Sequence, residues 1–343
     1  MRIAIVGANG HVGLELCFLF ERADHEVIPI VRNELGAAFL RRHGFAPRVA
    51  DVNDSEDVTR ALKGADIIVL AANATDVGGS SRKSLNINQK MIENAIRFGE
   101  GTVVYFSSIR AFSRKVDPTC GRIITPAYDA EKRKLEKVFL RTLSKYHKNG
   151  VVFRLGHVFG PFQPRTKGIR TFCSTHNPIE VQGNGDTPSN VIHTVTIVEA
   201  ILRAPTLSKG VYSLVNQPNW TWNEVFTHYA PARTTIRFSP PSAAPAKSFG
   251  WGKLLAILKP YLRSLGMVRL WVPTWLDQRI QHHYHLYRTR SDIQEIRSRQ
   301  RDRGTELFVS PMLTYNPIPG PFVSGLSPTT QRLKDELPEE LFE

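Results

Sequence analysis

Three side chains in the first half of the chain have the chemistry to move a proton together: the phenol of Tyr128, the ammonium of Lys132 and the hydroxyl of Ser108. Tyr128 and Lys132 stand at i and i+4, so on a helix they share one face. A free tyrosine, with a pKa of about 10, is a weak base at neutral pH, and a neighbouring positive charge favours its phenolate. Ser108 closes the run Thr102-Val-Val-Tyr-Phe-Ser-Ser108, which is apolar until its last two residues. A second group of residues suits a phosphate. Gly7, Gly10 and Gly13 punctuate Met1-Arg-Ile-Ala-Ile-Val-Gly-Ala-Asn-Gly-His-Val-Gly13, with Asn9, His11 and Val12 between them. A tight turn of this kind between strand and helix lets backbone N–H groups approach a pyrophosphate, with the positive end of the helix dipole behind them.

Alternating strands and helices must position these groups. Ile3 to Val6 reads as a strand, and the apolar spacing from Val12 to Phe20 is helical. His25 to Val31 is the second strand and ends in Arg32-Asn33, where a dinucleotide-binding fold meets the adenosine ribose. An acidic residue there selects NAD; Arg32 instead favours the 2′-phosphate of NADP. A helix from Glu34 to His43 leads to a short strand ending at Ala50-Asp51-Val52. Asp51 suits either the adenine amino group or the cap of the helix Ser55 to Leu62. Ala65 to Ala72 reads as a fully buried central strand, and its end, Ala71-Ala72-Asn73, is small enough for a cofactor to pass close by. A helix from about Ser84 to Phe98 and a strand Thr102 to Phe106 follow, so Ser107-Ser108 arrive at a carboxyl end, where ligand crevices of open α/β sheets lie. Tyr128 heads a charged helix reaching about Lys148, and Val151 to Leu155 is the sixth strand.

This order of elements and motifs resembles the extended short-chain dehydrogenase/reductase superfamily, in its NAD(P)-dependent epimerase/dehydratase branch. The resemblance is carried by Gly7-x-x-Gly10-x-x-Gly13, Asp51-Val52, Ser107-Ser108, Tyr128-x-x-x-Lys132 and Arg154-x-Gly156-x-x-Phe159-Gly160-Pro161. Asn86 to Ala95, Val191-Ile192-His193, Gly210 to Leu214 and Trp222-Asn-Glu-Val add to it, and it covers residues 1 to about 228. It implies an α/β fold: a doubly wound parallel-sheet Rossmann lobe with a smaller mixed C-terminal substrate lobe. The expected division gives 1–160 and 189–218 to the first and 161–188 and 219–343 to the second, with Pro161 to Pro188 a loop-rich excursion and Gly210 to Val215 a strand returning to the sheet edge.

The resemblance also implies roles. Tyr128 exchanges the proton of the reacting hydroxyl, and Lys132 supplies positive charge and holds the cofactor ribose. Ser108 hydrogen-bonds the substrate oxygen. Cofactor contacts are expected from Gly7, Asn9, Gly10, His11, Val12, Gly13, Arg32, Asp51, Val52, Ala71, Ala72, Lys132, Gly156, His157 and Val158. NADP(H) is favoured slightly over NAD(H), and a homodimer is expected. The implied activity is that of an NAD(P)-dependent epimerase or oxidoreductase acting at a hydroxyl or carbonyl carbon of a nucleotide-sugar-like substrate. Two departures bear on the substrate. Dehydratases of the family place an acidic pair after the catalytic hydroxyl, where this chain has Ile109-Arg110. Many nucleotide-sugar members carry an arginine before the segment matching Val191-Ile192-His193; here Ser189-Asn190 precede it, and Thr196 replaces a usual acid. Arg165, Lys167 or Arg170 remain as groups for a diphosphate.

Composition narrows the class. The chain has 343 residues, 41% of them apolar and 22% charged, with three scattered cysteines in no metal-binding spacing. A reducing, cytoplasmic setting is expected, with no disulfide framework, no bound metal, no signal peptide and no membrane span. Of the net charge of +14, eight units fall in 247–303, which holds twelve Lys/Arg against four Asp/Glu. Trp251 to Leu265 is cationic and amphipathic, interrupted by Pro260. Packing onto its own domain is the simpler reading. Peripheral membrane contact through 251–275 is the alternative, and with it an NADPH-dependent reductase of an apolar, steroid- or lipid-like alcohol. His282-His283-Tyr-His285 lacks the partners of a metal site, and the basic run Ser291 to Arg303 lacks any nucleic-acid-binding module, so no nucleic-acid partner is expected. A reading of another class, a non-catalytic dinucleotide-binding scaffold or sensor, is disfavoured by the presence of both Tyr128 and Lys132.

Overall fold

The first strand, β1 (Arg2–Val6), shows how the chain builds two layers at once. Successive side chains of a strand point to opposite faces. Ile3 and Ile5 accordingly enter one apolar core while Ala4 and Val6 enter another. The computed structural model describes residues 1–75, 80–112, 115–116, 123–124, 127–161, 163–216, 219–239, 273 and 308–309.

From β1 the order is α1 (His11–Arg22), β2 (Glu26–Val31), α2 (Glu34–Arg42), β3 (Arg48–Val49), α3 (Ser55–Leu62), β4 (Ile67–Leu70), α4 (Arg82–Phe98) and β5 (Thr102–Ser108). A single 3-10 turn, Ile109–Phe112, leads to a short antiparallel pair, β6 (Lys115–Val116) and β7 (Ile123–Ile124). Then come α5 (Ala127–Lys145), β8 (Gly150–Leu155), β9 (His157–Phe159), α6 (Pro164–Thr175), β10 (Ile179–Gln182), β11 (Val191–His193), α7 (Thr194–Arg203) and β12 (Gly210–Leu214). α8 (Trp222–Tyr229), β13 (Ile236–Ser239) and β14 (Phe308–Val309) follow.

Seven strands form one sheet in the order β12-β8-β5-β4-β1-β2-β3, and every pairing in it is parallel. The chain moves outward from β1 through β2 to β3, then returns to place β4 on the other side of β1. That reversal opens a crevice at the carboxyl ends of β1 and β4. Burial follows the topology: all four residues of β4 and the last four of β1 are buried, as central parallel strands require. Helices α1 and α7 pack on one face, α4 and α5 on the other. Their starts are written locally. Asp54 caps α3 by accepting from the N–H groups of Glu56 and Asp57, and Ser81 with Ser84 makes a capping box at α4. Each such cap contributes about 1 kcal/mol.

A smaller core lies beyond the sheet, where Phe159, Ile169, Cys173, Ile179, Val181, Trp222 and Phe226 are buried together. It joins α6 and α8 to a three-stranded parallel sheet of order β13-β10-β14, and β9 pairs with β11 nearby.

The α/β, doubly wound sheet expected from the sequence is the one observed, including β12 at its edge. Three local expectations differ. The third strand is only Arg48–Val49 and stops before Asp51. Asp51 does not cap α3: its carboxylate accepts from the backbone and side-chain N–H groups of Asn53, and Asp54, three residues on, is the cap. The excursion 161–188, expected to be loop-rich, contains α6 and β10, because Ile169, Cys173, Ile179 and Val181 have a core of their own to enter. Expectations for 247–303, including the stretch 251–275 (apart from the isolated Pro273) and the histidines at 282–285, lie outside the described residues. Among those that are described, no helix is long and apolar enough to cross a membrane.

Candidate active site and cofactor groove

The glycine turn after β1 has no room for larger residues. Gly7 has φ +87°, a conformation L side chains rarely adopt, and a Cβ there would stand 2.7 Å from the Ala72 backbone nitrogen. A Cβ on Gly13 would lie 2.3 Å from the Gly7 carbonyl oxygen, so α1 can approach β1 this closely only with glycine there. Helix α1 begins at Gly10 with no side-chain cap, which leaves its first N–H groups facing the crevice end of the sheet for an anion.

Beside this turn lies a cavity of about 440 Å³, within the range of cofactor pockets. Of the residues expected to touch a cofactor, Gly7, Asn9, Arg32, Asp51, Val52 and Ala72 line it. Ala71 sits next to Ala72 at the β4 end, and Gly10, His11, Val12 and Gly13 form the turn and first helical residues at its rim. Asn33 and Asn73, which the sequence places at strand ends beside the cofactor, also line it, as do Lys83, Ile87 and Met91, for which no cofactor contact was expected. The last three come from one face of α4, at a spacing of four, so the helix expected there carried a legible signal. A groove lined by the glycine turn, by small residues such as Ala72 and by Arg32 has the chemistry to take a nicotinamide dinucleotide.

Ser108, Tyr128 and Lys132, the groups expected to move a proton, lie together at the β5 end. β5 runs through Ser108, two residues farther than the apolar run predicts, and Tyr128 is set against it by α5. The Ser108 side chain stands close enough to Tyr128 to favour its charged form. Lys132 Nζ lies 5.7 Å from the centre of the Tyr128 ring. Ser107, by contrast, is buried and donates to Glu136 Oε1 at 2.5 Å, while Arg154 grips both oxygens of Glu136 at 2.8 and 2.6 Å. Ser107 and Arg154 therefore brace α5 against β5 and β8, and Ser108 is the hydroxyl turned to the tyrosine.

Helix α5 buries four charged side chains, Asp129, Glu131, Lys132 and Glu136, and each has a partner of its own. Burying a charge without one costs several kcal/mol. Lys132 donates to Asn73 Oδ1 at 2.9 Å and the Phe106 carbonyl at 3.2 Å, with the Tyr105 hydroxyl at 3.4 Å. Glu131 accepts from Asn88 Nδ2 at 2.7 Å, and Asn88 also holds both backbone groups of Ala74. Asp129 is ion-paired with Arg110 at 2.9 Å. Glu136, Glu131, Asp129, Asn88 and Asn73 thus support the candidate site, and the sequence had assigned none of them that part. The signal was the charged helix itself, with charges at 129, 132 and 136 in one buried stripe at helical spacing.

Electrostatics follow from burial. Burial raises the Tyr128 pKa above its ordinary value; the Ser108 hydroxyl and then the Arg110 charge pull it back down, while Asp129 and Glu131 push it up. The expectation that a neighbouring ammonium would bring Tyr128 down is therefore outweighed in the protein alone. Burial also lowers Lys132 to about 8, against the opposing pull of Glu131 and Glu136.

Gly156, His157 and Val158 stand past the end of β8 and lie outside the cavity. A Cβ on Gly156 would come 2.1 Å from the Asn190 carbonyl oxygen, and His157 pairs with Val191 across β9 and β11. Burial, then Arg165, then Arg110, lowers the His157 pKa to about 3. In the unfolded chain this histidine takes a proton below about 6.5 and in the folded one only near 3, so its share of stability is present above 6.5 and drains away as pH falls. Urea-denaturation midpoints should accordingly fall less between pH 7 and pH 5 for His157→Gln than for the unaltered chain. Equal falls would show that His157 is not held neutral.

Ser189 and Asn190 are fully buried. Ser189 donates to the Trp220 carbonyl, and Asn190 and Asn219 exchange hydrogen bonds. Thr196 donates to Asn216. These side chains are engaged in hydrogen bonds within the fold. Arg165 and Lys167 are exposed on α6, and Arg170 is half-buried.

Residues 7–145 match a family model described as NAD(P)H-binding. Over 123 residues the chain is 32% identical to an uncharacterized sugar epimerase, YhfK, of Bacillus subtilis, a match covering 34% of this chain and 56% of that one. The chain thus spans about half the length of that curated relative. Its fold is similar to that of UDP-glucose 4-epimerase of Thermotoga maritima with UDP-glucose: TM-score 0.54, 16% identity, 79% of this chain and 97% of the other covered. It is similar also to UDP-N-acetylglucosamine 4-epimerase of Bacillus cereus, with TM-score 0.55, 14% identity and coverages of 77% and 96%.

Proposed function

We propose that this chain, whose residues 7–145 match a family model described as NAD(P)H-binding and whose fold is similar to that of UDP-glucose 4-epimerase, is an NAD(P)-dependent epimerase or oxidoreductase acting at a hydroxyl or carbonyl carbon of a sugar-like substrate. The observation that carries the proposal is the approach of Ser108 and Lys132 to Tyr128, at the same sheet edge as the glycine turn. Ser108 and Tyr128 hold the substrate oxygen between two hydroxyls, and Tyr128 gives or takes its proton. Lys132 keeps a positive charge beside the phenol, with its ammonium tied to Asn73, Tyr105 and the β5 backbone, so it also locks β4, β5 and α5 in register at the reacting edge. The bound nicotinamide supplies the hydride acceptor or donor. The smaller core around Trp222 serves as the substrate lobe, and Arg165 on α6, close enough to His157 to resist its protonation, is the proposed anchor for an anionic part of the substrate.

The likeness to a sugar epimerase supports a sugar substrate. The test is incubation with NAD or NADP and UDP-glucose, UDP-galactose or UDP-N-acetylglucosamine, with chromatography of the products. Interconversion without net change of the cofactor identifies an epimerase, and stoichiometric cofactor oxidation or reduction identifies an oxidoreductase. No conversion of any of the three rejects the nucleotide-sugar reading.

Arg32, exposed at the end of β2 and lining the groove, supports NADP(H) over NAD(H). The nearest acid, Glu34, is taken by Arg41 at 2.6 Å. Arg32→Asp should weaken NADPH binding by roughly tenfold or more, the size of one charge-assisted hydrogen bond, while sparing NADH. Parallel fluorescence titrations measure this, and an unchanged ratio of the two affinities would remove Arg32 from the 2′-phosphate site.

A further inference from the structure

We propose that Arg110 is a positioning residue for Tyr128: anchored through the buried Asp129, it holds a guanidinium over the phenol ring and biases that ring toward phenolate. The proposal rests on the acid/base role given to Tyr128 above. The 3-10 turn Ile109–Phe112 carries Arg110 directly off the end of β5, and its backbone N–H lies 3.2 Å from the Ser108 hydroxyl oxygen. Its Nε lies 2.9 Å from Asp129 Oδ1, and its Cζ stands 5.3 Å from the centre of the Tyr128 ring. Asp129 is 1% exposed whereas Arg110 is 43% exposed, so the carboxylate is the fixed end of the pair and the arginine the end that stands over the Tyr128 ring.

One side chain thus contacts, directly or through its own backbone, both members of the Ser108–Tyr128 pair. A cation over an aromatic face is attracted to it, and more strongly once the ring carries negative charge. The other charges facing Tyr128 are on its own helix, where Asp129 and Glu131 oppose phenolate, and Lys132 at 5.7 Å. From the strand side Tyr105 is a buried neutral phenol, and Ser108 is uncharged. Lys132 Nζ is held by Asn73, Tyr105 and the Phe106 carbonyl, and Arg110, anchored on Asp129, is the second cation beside the ring and slightly the nearer of the two to its centre. Where dehydratases of the family place acids after the hydroxyl, this chain has placed a base-stabilising cation.

The experiment is carbon-13 NMR of the full chain labelled at the tyrosine Cζ, with Tyr128 assigned by Tyr128→Phe, titrated from neutral to alkaline pH with and without NADP. In Arg110→Gln the Tyr128 midpoint should rise by about one pH unit, a tenfold loss of phenolate at a given pH, and Arg110→Lys should restore most of it. Should Arg110→Gln not fold, nitrogen-15 shifts of the Arg110 Nε in the unaltered chain give the second test. They should move with the same midpoint as Tyr128. An unmoved midpoint in Arg110→Gln, or an Arg110 resonance that ignores the Tyr128 titration, overturns the proposal. If the chain binds no nicotinamide dinucleotide, the enzymatic reading falls, and the titration still reports whether Arg110 acts on Tyr128.

Discussion

Tyr128→Phe should lose turnover by a factor of about 100 to 10,000, the range of positioned general acid–base catalysis, while cofactor affinity stays within a fewfold. The substitution removes one oxygen from a ring that is otherwise kept, so packing against Lys132 and Arg110 survives. What it removes is the hydroxyl beside Ser108, the proposed proton-transferring group itself. Substituting Ser108 by alanine instead removes the neighbouring hydroxyl that favours the charged form of the phenol, and its effect should be smaller than that of Tyr128→Phe. Turnover of Tyr128→Phe within a fewfold of the unaltered chain would move the chemistry to another group.

Gly13→Val is expected to weaken dinucleotide binding on the order of 100-fold, the effect of displacing a binding element by about an ångström. The added Cβ would meet only backbone: the Gly7 carbonyl oxygen at 2.3 Å, the Gly7 carbonyl carbon at 3.0 Å and the Ala8 Cα at 3.1 Å. No flexible side chain can yield, so α1 must draw away from the turn and take its N-terminal N–H groups off the pyrophosphate position. Gly10→Ala is the internal control, since its Cβ meets only the Gly7 oxygen at 3.3 Å. Fluorescence titration with NADPH reads both. Equal affinities for Gly13→Val and the unaltered chain would show that the phosphate is not held at this turn.

Much of the sheet could be read before any coordinates. Fully apolar runs such as Ile67–Leu70 have one place to go in an α/β chain, and the glycines at 7, 10 and 13 have a steric reason to be glycine. Tyr128, Lys132 and Ser108 were legible because they recur in a spaced motif. Their supports were not. Asn73, Asn88, Glu131 and Asp129 come from three separate elements and meet only when β4, α4 and α5 dock, and nothing local in the sequence states that pairing. Asp51 was misread in part because Asp54, also an acid and three residues away, is an equally good cap on the sequence alone. The excursion after β9 was taken for loop because Pro161 to Gly168 is rich in helix breakers and charge. Its helix is held by a small tertiary core around Trp222 and Phe226, sixty residues downstream.

The central claim is that this chain binds a nicotinamide dinucleotide and uses it. Its most direct test is to purify the chain, release any retained cofactor by denaturation and assay it as NAD(H) or NADP(H), then titrate the stripped protein with each. The account predicts saturable binding of one dinucleotide per chain. Tightly retained cofactor would mark a hydride recycled within the site, as in an epimerase, and exchangeable NADPH a reductase. Failure to bind either dinucleotide would contradict the account at its root.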